Sequence, residues 1–213
     1  MDLYLVRHGQ TESNKERRYI GWSESPLTEE GIRQAEKAGF FLGRHNIGGL
    51  YSSNLKRAVH TARVVGSMTG LKPVVTPLLR EINFGQWEGL TYDQIESRWG
   101  GEIRLWFDDP FNRSTPDGET LARVCARMKS FLDRVTAQVP PGSRIAAVSH
   151  GGSIRALLYH VLNVNAASFW DIKIDNASIS LIRREGDGFK VVYYNRTDYL
   201  GAGDYREELI DGN

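Results

Sequence analysis

Short apolar segments alternate with amphipathic, helix-like segments along most of this 213-residue chain. The apolar segments have the length and composition of buried strands, and most are followed by apolar residues at helical spacing. The predicted strands cover residues 3–6, 50–52, 73–76 and 145–148. Such alternation is typical of a mainly parallel sheet with helices on both faces. It predicts the α/β class and, in particular, a three-layer α/β/α sandwich.

Several predicted helices have recognisable start signals. Thr28 is expected to cap a helix whose apolar residues follow at helical spacing, and Thr91 with Gln94 has the pattern of a capping box. A third, longer helix has its apolar positions between residues 121 and 135. These signals place helices between the strands, as the α/β prediction requires.

Two alternating segments near the C-terminus predict a β-hairpin. Residues 179–182 and 189–193 flank the turn-forming sequence Glu185–Gly188. The hairpin is expected to add an antiparallel edge to the sheet. We predict one domain over residues 1–195, followed by a loosely packed surface tail over residues 196–213.

Composition excludes several functional classes. Charged residues make up 25% of the chain and the net charge is +1, so no global charge excess favours a nucleic acid or an acidic membrane. The single cysteine, Cys125, rules out an internal disulfide. Asp2, Arg7 and His8 interrupt any signal-like N-terminus, and no apolar run approaches the roughly 20 residues of a membrane span. We therefore expect a cytoplasmic protein without a membrane or nucleic-acid partner.

One chemical motif occurs twice, each time at the end of a predicted strand. Arg7-His8-Gly9 ends the first strand, and His150-Gly151-Gly152 follows Ser149. Parallel strands present their carboxyl ends at one edge, where α/β sheets place ligands, and free N–H groups at a helix start favour an anion. An imidazole beside cations suits attack on a negatively charged electrophile such as a phosphoryl group. The alternative for either motif alone is an incidental histidine at a strand end.

Two further residues are candidates for the same chemistry. Arg57 lies in the first turn of a predicted helix, where a cation opposes the helix dipole, so binding an anion would explain its position. A solvated arginine is the alternative. Glu81 lies in a loop among apolar residues, an environment that suits a general acid. Its alternative is a surface glutamate.

Other conspicuous side chains have weaker claims. Four aromatic residues could line a wall for the leaving group or could equally pack in the core: Trp22, Phe84, Trp106 and Phe107. Three histidines match no motif and are expected to be structural or solvated: His45, His60 and His160. Cys125 lies on the long helix between Val124 and Met128, which predicts a core thiol.

Taken together, the motifs resemble the histidine phosphatase superfamily, the phosphoglycerate mutase-like proteins. The matching segments, in family order, are Arg7-His8-Gly9 with Asn14, Gly21-Trp22, Leu27-Thr28 with Gly31 and Gln34-Ala35, Tyr51-Ser52-Ser53 with Arg57-Ala58 and Thr61-Ala62, Leu79 with Glu81, Phe84-Gly85 and Trp87-Glu88-Gly89, and His150-Gly151-Gly152. The resemblance extends from residue 3 to about residue 182. It implies the same three-layer fold.

The resemblance also implies roles for the candidate residues. His8 would form a covalent phosphohistidine, and Glu81 would donate and accept the proton. The phosphoryl group would be surrounded by Arg7, Arg57 and His150. Further substrate contacts would come from Asn14, Gly151, Gln10 and Gly21. No metal and no cofactor are implied. We expect His8 to be unprotonated when it attacks, and His150 to be protonated beside the phosphate.

The predicted activity follows from the member of the family that the chain looks most like. Residues 79–92 and 116–120 look most like α-ribazole phosphatases of cobalamin synthesis and their broad-specificity relatives. The mutases that this chain resembles have a longer segment at this place, which includes an arginine pair that binds the substrate carboxylate. The corresponding segment here, residues 89–118, is short. We predict a phosphomonoesterase for a small phosphorylated metabolite, with α-ribazole 5′-phosphate as one candidate and a homodimer as one possible assembly. A mutase that depends on 2,3-bisphosphoglycerate and a non-catalytic phosphate-binding module are the alternatives.

Overall fold

Six strands form the central sheet in a computed structural model that describes residues 1–201 of the chain. The strands are β1 (Asp2–Arg7), β2 (Gly49–Ser53), β3 (Val74–Thr76), β4 (Arg144–Ser149), β5 (Ile179–Glu185) and β6 (Gly188–Arg196). Their order is β3-β2-β4-β1-β5-β6, in which the first four are parallel to one another. β5 runs antiparallel to β1 and to β6, as the hairpin prediction requires. The predicted mainly parallel sheet with an antiparallel edge is confirmed.

Seven α-helices lie within residues 1–201 and connect the strands. They are α1 (Glu12–Lys15), α2 (Glu29–Gly43), α3 (Lys56–Thr69), α4 (Tyr92–Trp99), α5 (Glu102–Asp108), α6 (Leu121–Gln138) and α7 (Gly151–Leu162). The predicted caps are present: the Thr28 hydroxyl accepts the Gly31 N–H, and Thr91 forms a reciprocal capping box with Gln94. Within residues 1–201, no helix has both the length and the apolar character that crossing a membrane requires.

Two apolar cores lie on opposite faces of the sheet because successive strand residues point to opposite sides. In β1, Leu3 and Leu5 face the core formed with α6 and α7, whereas Tyr4 and Val6 face the core formed with α2 and α3. β4 alternates in the same way. The sheet is thus covered on both faces and its carboxyl edge is left for the site.

The beginning of the predicted tail is packed rather than loose. Arg196 still belongs to β6, and Tyr199 is buried with its hydroxyl donating to the Ala177 carbonyl. Lys37 donates to the carbonyls of Leu200 and Gly201 at 2.8 Å. The expectation of a loose segment is therefore wrong up to residue 201, because one aromatic side chain buries enough apolar surface to hold the segment. The rest of the predicted tail lies outside the described residues.

Candidate active site

The two strand-ending histidines lie side by side. β1 and β4 are neighbouring parallel strands with Arg7 opposite Ser149, so the next residue of each strand emerges at the same edge. The His8 N–H donates to the Ser149 carbonyl at 3.0 Å. The imidazole rings of His8 and His150 are 5.1 Å apart between centroids, and both are buried. The structure therefore brings the two halves of the repeated motif together.

His8 has one ring nitrogen fixed and the other available as a nucleophile. Its Nδ1 lies 2.8 Å from the Gly9 carbonyl oxygen, which can only accept, so the proton resides on Nδ1. Its Nε2 is then unprotonated, and the lone pair of this nitrogen accepts the Arg57 Nε–H at 3.3 Å. Burial, with added repulsion from Arg57 and Arg7, holds the pKa of His8 well below its usual 6.5. His8 is consequently neutral at pH 7, as expected for a nucleophile.

Arg57 is buried and held by the loop before α2. Its Nη1 donates to the Ser23 carbonyl at 2.9 Å and its Nη2 to the Gly21 carbonyl at 2.6 Å. A Cβ atom at Gly21 would lie 2.0 Å from the Ile82 carbonyl oxygen, so only glycine allows this loop to approach the segment that carries Glu81. The solvated arginine that the sequence left open is excluded.

Three buried polar atoms in this region lack partners within the described residues. They are the Arg7 Nε and both ring nitrogens of His150. Arg7 is anchored by its Nη1, which donates to the Ile174 carbonyl at 2.7 Å. Buried polar groups without partners are costly and are normally satisfied by a ligand or by water. Their position beside His8 and Arg57 fits an anion that accepts several hydrogen bonds.

The surroundings of His150 oppose a positive charge on its ring. Burial, followed by repulsion from Arg57 and His8, holds the pKa of His150 well below 6.5. A protonated His150 is expected from the sequence beside a phosphate, and that expectation stays a prediction, because the charge of a phosphate dianion would oppose the effects of burial and of the guanidinium groups. His150 can still donate one N–H as a neutral imidazole.

The start of α7 holds the Glu81 carboxylate. Its Oε2 accepts the Gly152 N–H at 2.9 Å, and its Oε1 accepts the N–H groups of Ser153 at 3.1 Å and Ile82 at 2.9 Å. The helix N-terminus that the sequence suggested for a substrate anion thus binds a side-chain anion. Glu81 is buried, which excludes the alternative of a surface glutamate.

Sequence reasoning missed the residue that fixes the Glu81 segment. Arg127 of α6 donates to the backbone carbonyls of Leu78, Arg80 and Glu81 and pairs with Glu119 at 3.4 Å. The sequence signal for Arg127 is its charge at an unusual place, because it directly precedes the buried Met128 on the apolar side of α6. Because the carbonyls come from a distant loop, helical spacing alone does not reveal the contact.

The remaining predicted contacts lie near the site but are engaged with protein groups. The Asn14 Oδ1 accepts the Thr11 N–H in a capping box and the Asn176 amide at 2.9 Å. The Gln10 Oε1 accepts the Thr28 hydroxyl at 3.1 Å. Both side chains are therefore engaged within the protein, and their contacts with substrate remain predictions, as does the contact of Gly151.

The four aromatic residues divide between the two alternatives. Trp22 is 39% exposed, and its Nε1 donates to the Glu81 carbonyl at 2.9 Å, which puts it on the rim of the site. Trp106 is buried in the core, where Phe84 and Phe107 pack against its ring. Only Trp22 is thus placed to form a wall beside the proton donor.

The residues expected to be structural are outside the site. His60 and His160 are exposed, and His45 packs on Phe41 with 4.3 Å between ring centroids. Cys125 lies half-buried beside the Ala156 carbonyl. Burial raises the pKa of Cys125 to about 11, so the thiol stays protonated and unreactive, as predicted.

Comparison with known proteins identifies the class to which this fold and site belong. The chain matches the model of the histidine phosphatase superfamily (branch 1) over residues 3–197. It belongs to that superfamily. The resemblance identified from the sequence is therefore confirmed, and the prediction of a phosphatase-type enzyme is confirmed at the level of the family.

Two curated relatives have different activities in their names. Phosphoserine phosphatase 1 of Hydrogenobacter thermophilus is 32% identical over 199 residues, which are 93% of this chain and 94% of the relative. A probable phosphoglycerate mutase of Yersinia pestis is 34% identical over 185 residues, which are 85% of this chain and 84% of the relative. The family thus includes both candidate reactions.

Solved structures share the whole fold. A mycobacterial glucosyl-3-phosphoglycerate phosphatase, solved in complex with VO3, superposes with a TM-score of 0.85 and 32% identity, covering 92% of this chain and 99% of its own. A putative α-ribazole-5′-phosphate phosphatase from Escherichia coli superposes with a TM-score of 0.84 and 28% identity, covering 92% and 96%. The predicted three-layer architecture is confirmed by both.

Proposed function

We propose that this protein hydrolyses phosphate monoesters through a phosphohistidine at His8. The observation that carries the proposal is the buried His8 imidazole, whose Nε2 keeps its lone pair while Nδ1–H is fixed by the Gly9 carbonyl. Arg7, Arg57 and His150 surround it with hydrogen-bond donors suited to phosphate oxygens. Two guanidinium groups can offset the charge of a phosphate dianion.

The first half of the reaction transfers the phosphoryl group to the enzyme. The His8 Nε2 attacks phosphorus, the bond from phosphorus to the ester oxygen breaks, and Glu81 protonates the leaving oxygen. The step therefore needs a proton on Glu81 when it begins. Arg7, Arg57 and His150 stabilise the transferred phosphoryl oxygens.

The second half returns the enzyme to its starting state. Glu81, now a carboxylate, accepts a proton from water as the water oxygen attacks phosphorus. The P–N bond breaks, phosphate leaves, and the lone pair returns to the His8 Nε2. Besides water, both steps use only side chains of this protein, and no group of three or more His, Cys, Asp and Glu side chains that could hold a metal occurs within residues 1–201.

Several narrower assignments belong to the same proposal. Asn14, Gln10, Gly21 and Gly151 are proposed as substrate contacts. The substrate is a small phosphorylated metabolite, for which α-ribazole 5′-phosphate and phosphoserine are candidates supported by the neighbours and relatives. A homodimer, a cytoplasmic location and a role in cobalamin synthesis remain predictions.

A mutase is the second candidate because one relative is a probable phosphoglycerate mutase. Against it, the segment between Gly89 and Gly118 offers no converging pair of arginines within the described residues. Arg98 and Arg113 are exposed, and Arg104 pairs with Glu96 at 2.8 Å. Water is therefore expected to reach the phosphohistidine.

The deciding experiment supplies 3-phosphoglycerate with catalytic 2,3-bisphosphoglycerate, with and without EDTA. Free phosphate and 2-phosphoglycerate are followed together. We expect phosphate release to exceed isomerisation and to be unaffected by the chelator. Isomerisation that is faster by orders of magnitude would establish the mutase instead. If the protein binds phosphate but hydrolyses no ester, including p-nitrophenyl phosphate, the non-catalytic phosphate-binding module is the correct alternative.

A further inference from the structure

Arg80 lies where three segments of the site meet. Its guanidinium carbon is 4.5 Å above the centroid of the Trp22 ring, and its Nε donates to the Asn54 Oδ1 at 2.7 Å. Trp22 belongs to the loop that holds Arg57, Asn54 precedes α3, and Arg80 itself precedes Glu81. The Arg80 side chain is therefore fixed between Trp22, on the rim of the site, and Asn54, and its residue directly precedes the proposed proton donor in the chain.

The backbone under Arg80 is fixed as well. Its carbonyl accepts the Ser153 hydroxyl and the Arg127 guanidinium. The indole N–H of Trp22 donates to the Glu81 carbonyl at 2.9 Å, which ties the stacking ring to the same segment. The position of the guanidinium relative to Glu81 is thus set by contacts from α6, α7 and the Trp22 loop.

The charge of Arg80 is not neutralised by the described part of the chain. Neither terminal nitrogen, Nη1 or Nη2, has a hydrogen-bond partner there, and no carboxylate lies within 4.0 Å. The acidic groups of the neighbouring loops bind backbone N–H groups instead: Glu24 binds that of Lys56, and Glu88 binds those of Trp22 and Ser23. Stacking explains how Arg80 packs, but it leaves two charged donors unused.

We propose that Arg80 binds a carboxylate carried by the leaving group of the substrate. The inference rests on the proposed phosphatase function, since it assumes that an alcohol leaves past Glu81. Arginine presents parallel N–H donors that match a carboxylate, and an aromatic face restricts its motion so that less freedom is lost on binding. The preferred substrates are therefore phosphate esters of hydroxy acids. α-Ribazole 5′-phosphate, whose leaving alcohol is a neutral nucleoside, is disfavoured.

The test compares 3-phosphoglycerate with glycerol 3-phosphate, which has a hydroxymethyl group in place of the carboxylate. The wild-type protein is expected to prefer the first by about 10- to 100-fold in kcat/KM, the range for a hydrogen bond to a charged group. Arg80→Gln should remove most of this preference, chiefly through KM, and Arg80→Lys should keep part of it. Asn54→Ala, which frees the Arg80 side chain, should reduce the preference less. The exposed Arg134→Gln on α6 is the matched control and should retain it.

Each other outcome has a definite meaning. Equal loss of activity on both substrates in Arg80→Gln and Arg80→Lys would overturn the inference, because the side chain would then only shape the loop. A wild-type protein without preference would overturn it too, while hydrolysis of p-nitrophenyl phosphate with formation of a phosphohistidine would leave the proposed function standing. Failure to hydrolyse all three esters would overturn the proposed function and this inference with it.

Discussion

The carboxyl ends of β1 and β4 have the same sequence pattern, a histidine followed by glycine, yet they differ in almost every contact. Both ring nitrogens of His8 are engaged, one by the Gly9 carbonyl and the other by Arg57. Neither nitrogen of His150 has a partner among the described residues. The pattern therefore places two imidazoles at one edge, while contacts from distant parts of the chain decide which of them is the nucleophile.

The glycines of the two motifs differ in the same way. A Cβ atom at Gly9 would lie 2.1 Å from the Gly31 carbonyl oxygen, so the start of α2 requires glycine there. At Gly151 the nearest atom would be the Arg7 Nε at 3.4 Å, an ordinary contact. The first glycine is thus needed for close backbone packing, whereas the glycines of the second motif lie at a helix start that binds Glu81.

The largest expected effect separates the two histidines. His8→Ala should reduce turnover to background and abolish the phosphoenzyme, because only His8 has an oriented lone pair. His150→Ala should slow turnover by about 10²–10³-fold, the usual cost of losing one donor to a developing charge, while the phosphoenzyme still forms. Acid-labile, base-stable phosphate on the protein, measured after a rapid quench, distinguishes the two variants. A phosphoenzyme in His8→Ala would assign the nucleophile elsewhere.

The next effect concerns the acid held by the second motif. Glu81→Gln should slow phosphoryl transfer from alkyl phosphates by about 10²–10⁴-fold, the usual contribution of a general acid. Transfer from p-nitrophenyl phosphate should be nearly unaffected, because its leaving group needs little protonation. Burst rates are the appropriate measurement, since the breakdown of the phosphoenzyme also uses Glu81. Equal losses for both esters would mean that Glu81 only shapes the pocket.

The sequence was sufficient to predict the helices and strands and the residues that meet at the sheet edge, because both follow from local patterns. Strand alternation located His8 and His150, and the unfavourable position of Arg57 in a first helical turn indicated an anion-binding role. The binding of Glu81 by the α7 N–H groups could not be predicted in this way. That contact joins the Glu81 loop to the start of α7 at Gly152, which lies 71 residues later in the chain. Such a long-range contact produces no periodic pattern in the sequence.

The electrostatic surroundings of His150 could not be predicted for a related reason. A histidine near a phosphate suggests a cation, but the pKa of this ring is set mainly by its burial and then by Arg57. The burial of His150 at the centre of the sheet edge depends on how the helices pack on both faces of the sheet. Local sequence patterns do not specify that packing. The packed Tyr199 beyond the predicted end of the domain is a second case, since a single aromatic residue gives no periodic signal.

A smaller effect tests the glycines of the second motif. A Cβ atom at Gly152 would lie 2.6 Å from the Glu81 Oε1, so Gly152→Ala should displace the carboxylate from the start of α7. We expect activity on alkyl phosphates to fall by about 10-fold, less than for Glu81→Gln because the carboxyl group can still protonate the leaving oxygen from a shifted position. Gly43→Ala at the end of α2, where a Cβ atom would meet only the Met68 carbonyl oxygen at 3.7 Å, is the matched control and should leave the rate unchanged. The same loss in both variants would mean that the effect does not depend on Glu81.

The smallest effect is on stability and concerns both histidines together. In the folded protein the pKa values of both histidines lie below 6.5. At pH values between 6.5 and the folded pKa, the unfolded chain therefore binds more protons than the folded chain. The free energy of unfolding therefore falls as the pH decreases from about 7.5 through 6.5 towards the folded pKa values, and each histidine contributes to the fall. The free energy of unfolding of His150→Ala should fall less over the same pH range than that of the wild-type protein. Urea unfolding in a phosphate-free buffer measures the difference, with the exposed His60→Ala as a control for removing a histidine as such. The same pH dependence in the wild-type protein and in His150→Ala would mean that the second imidazole is not held neutral by its surroundings.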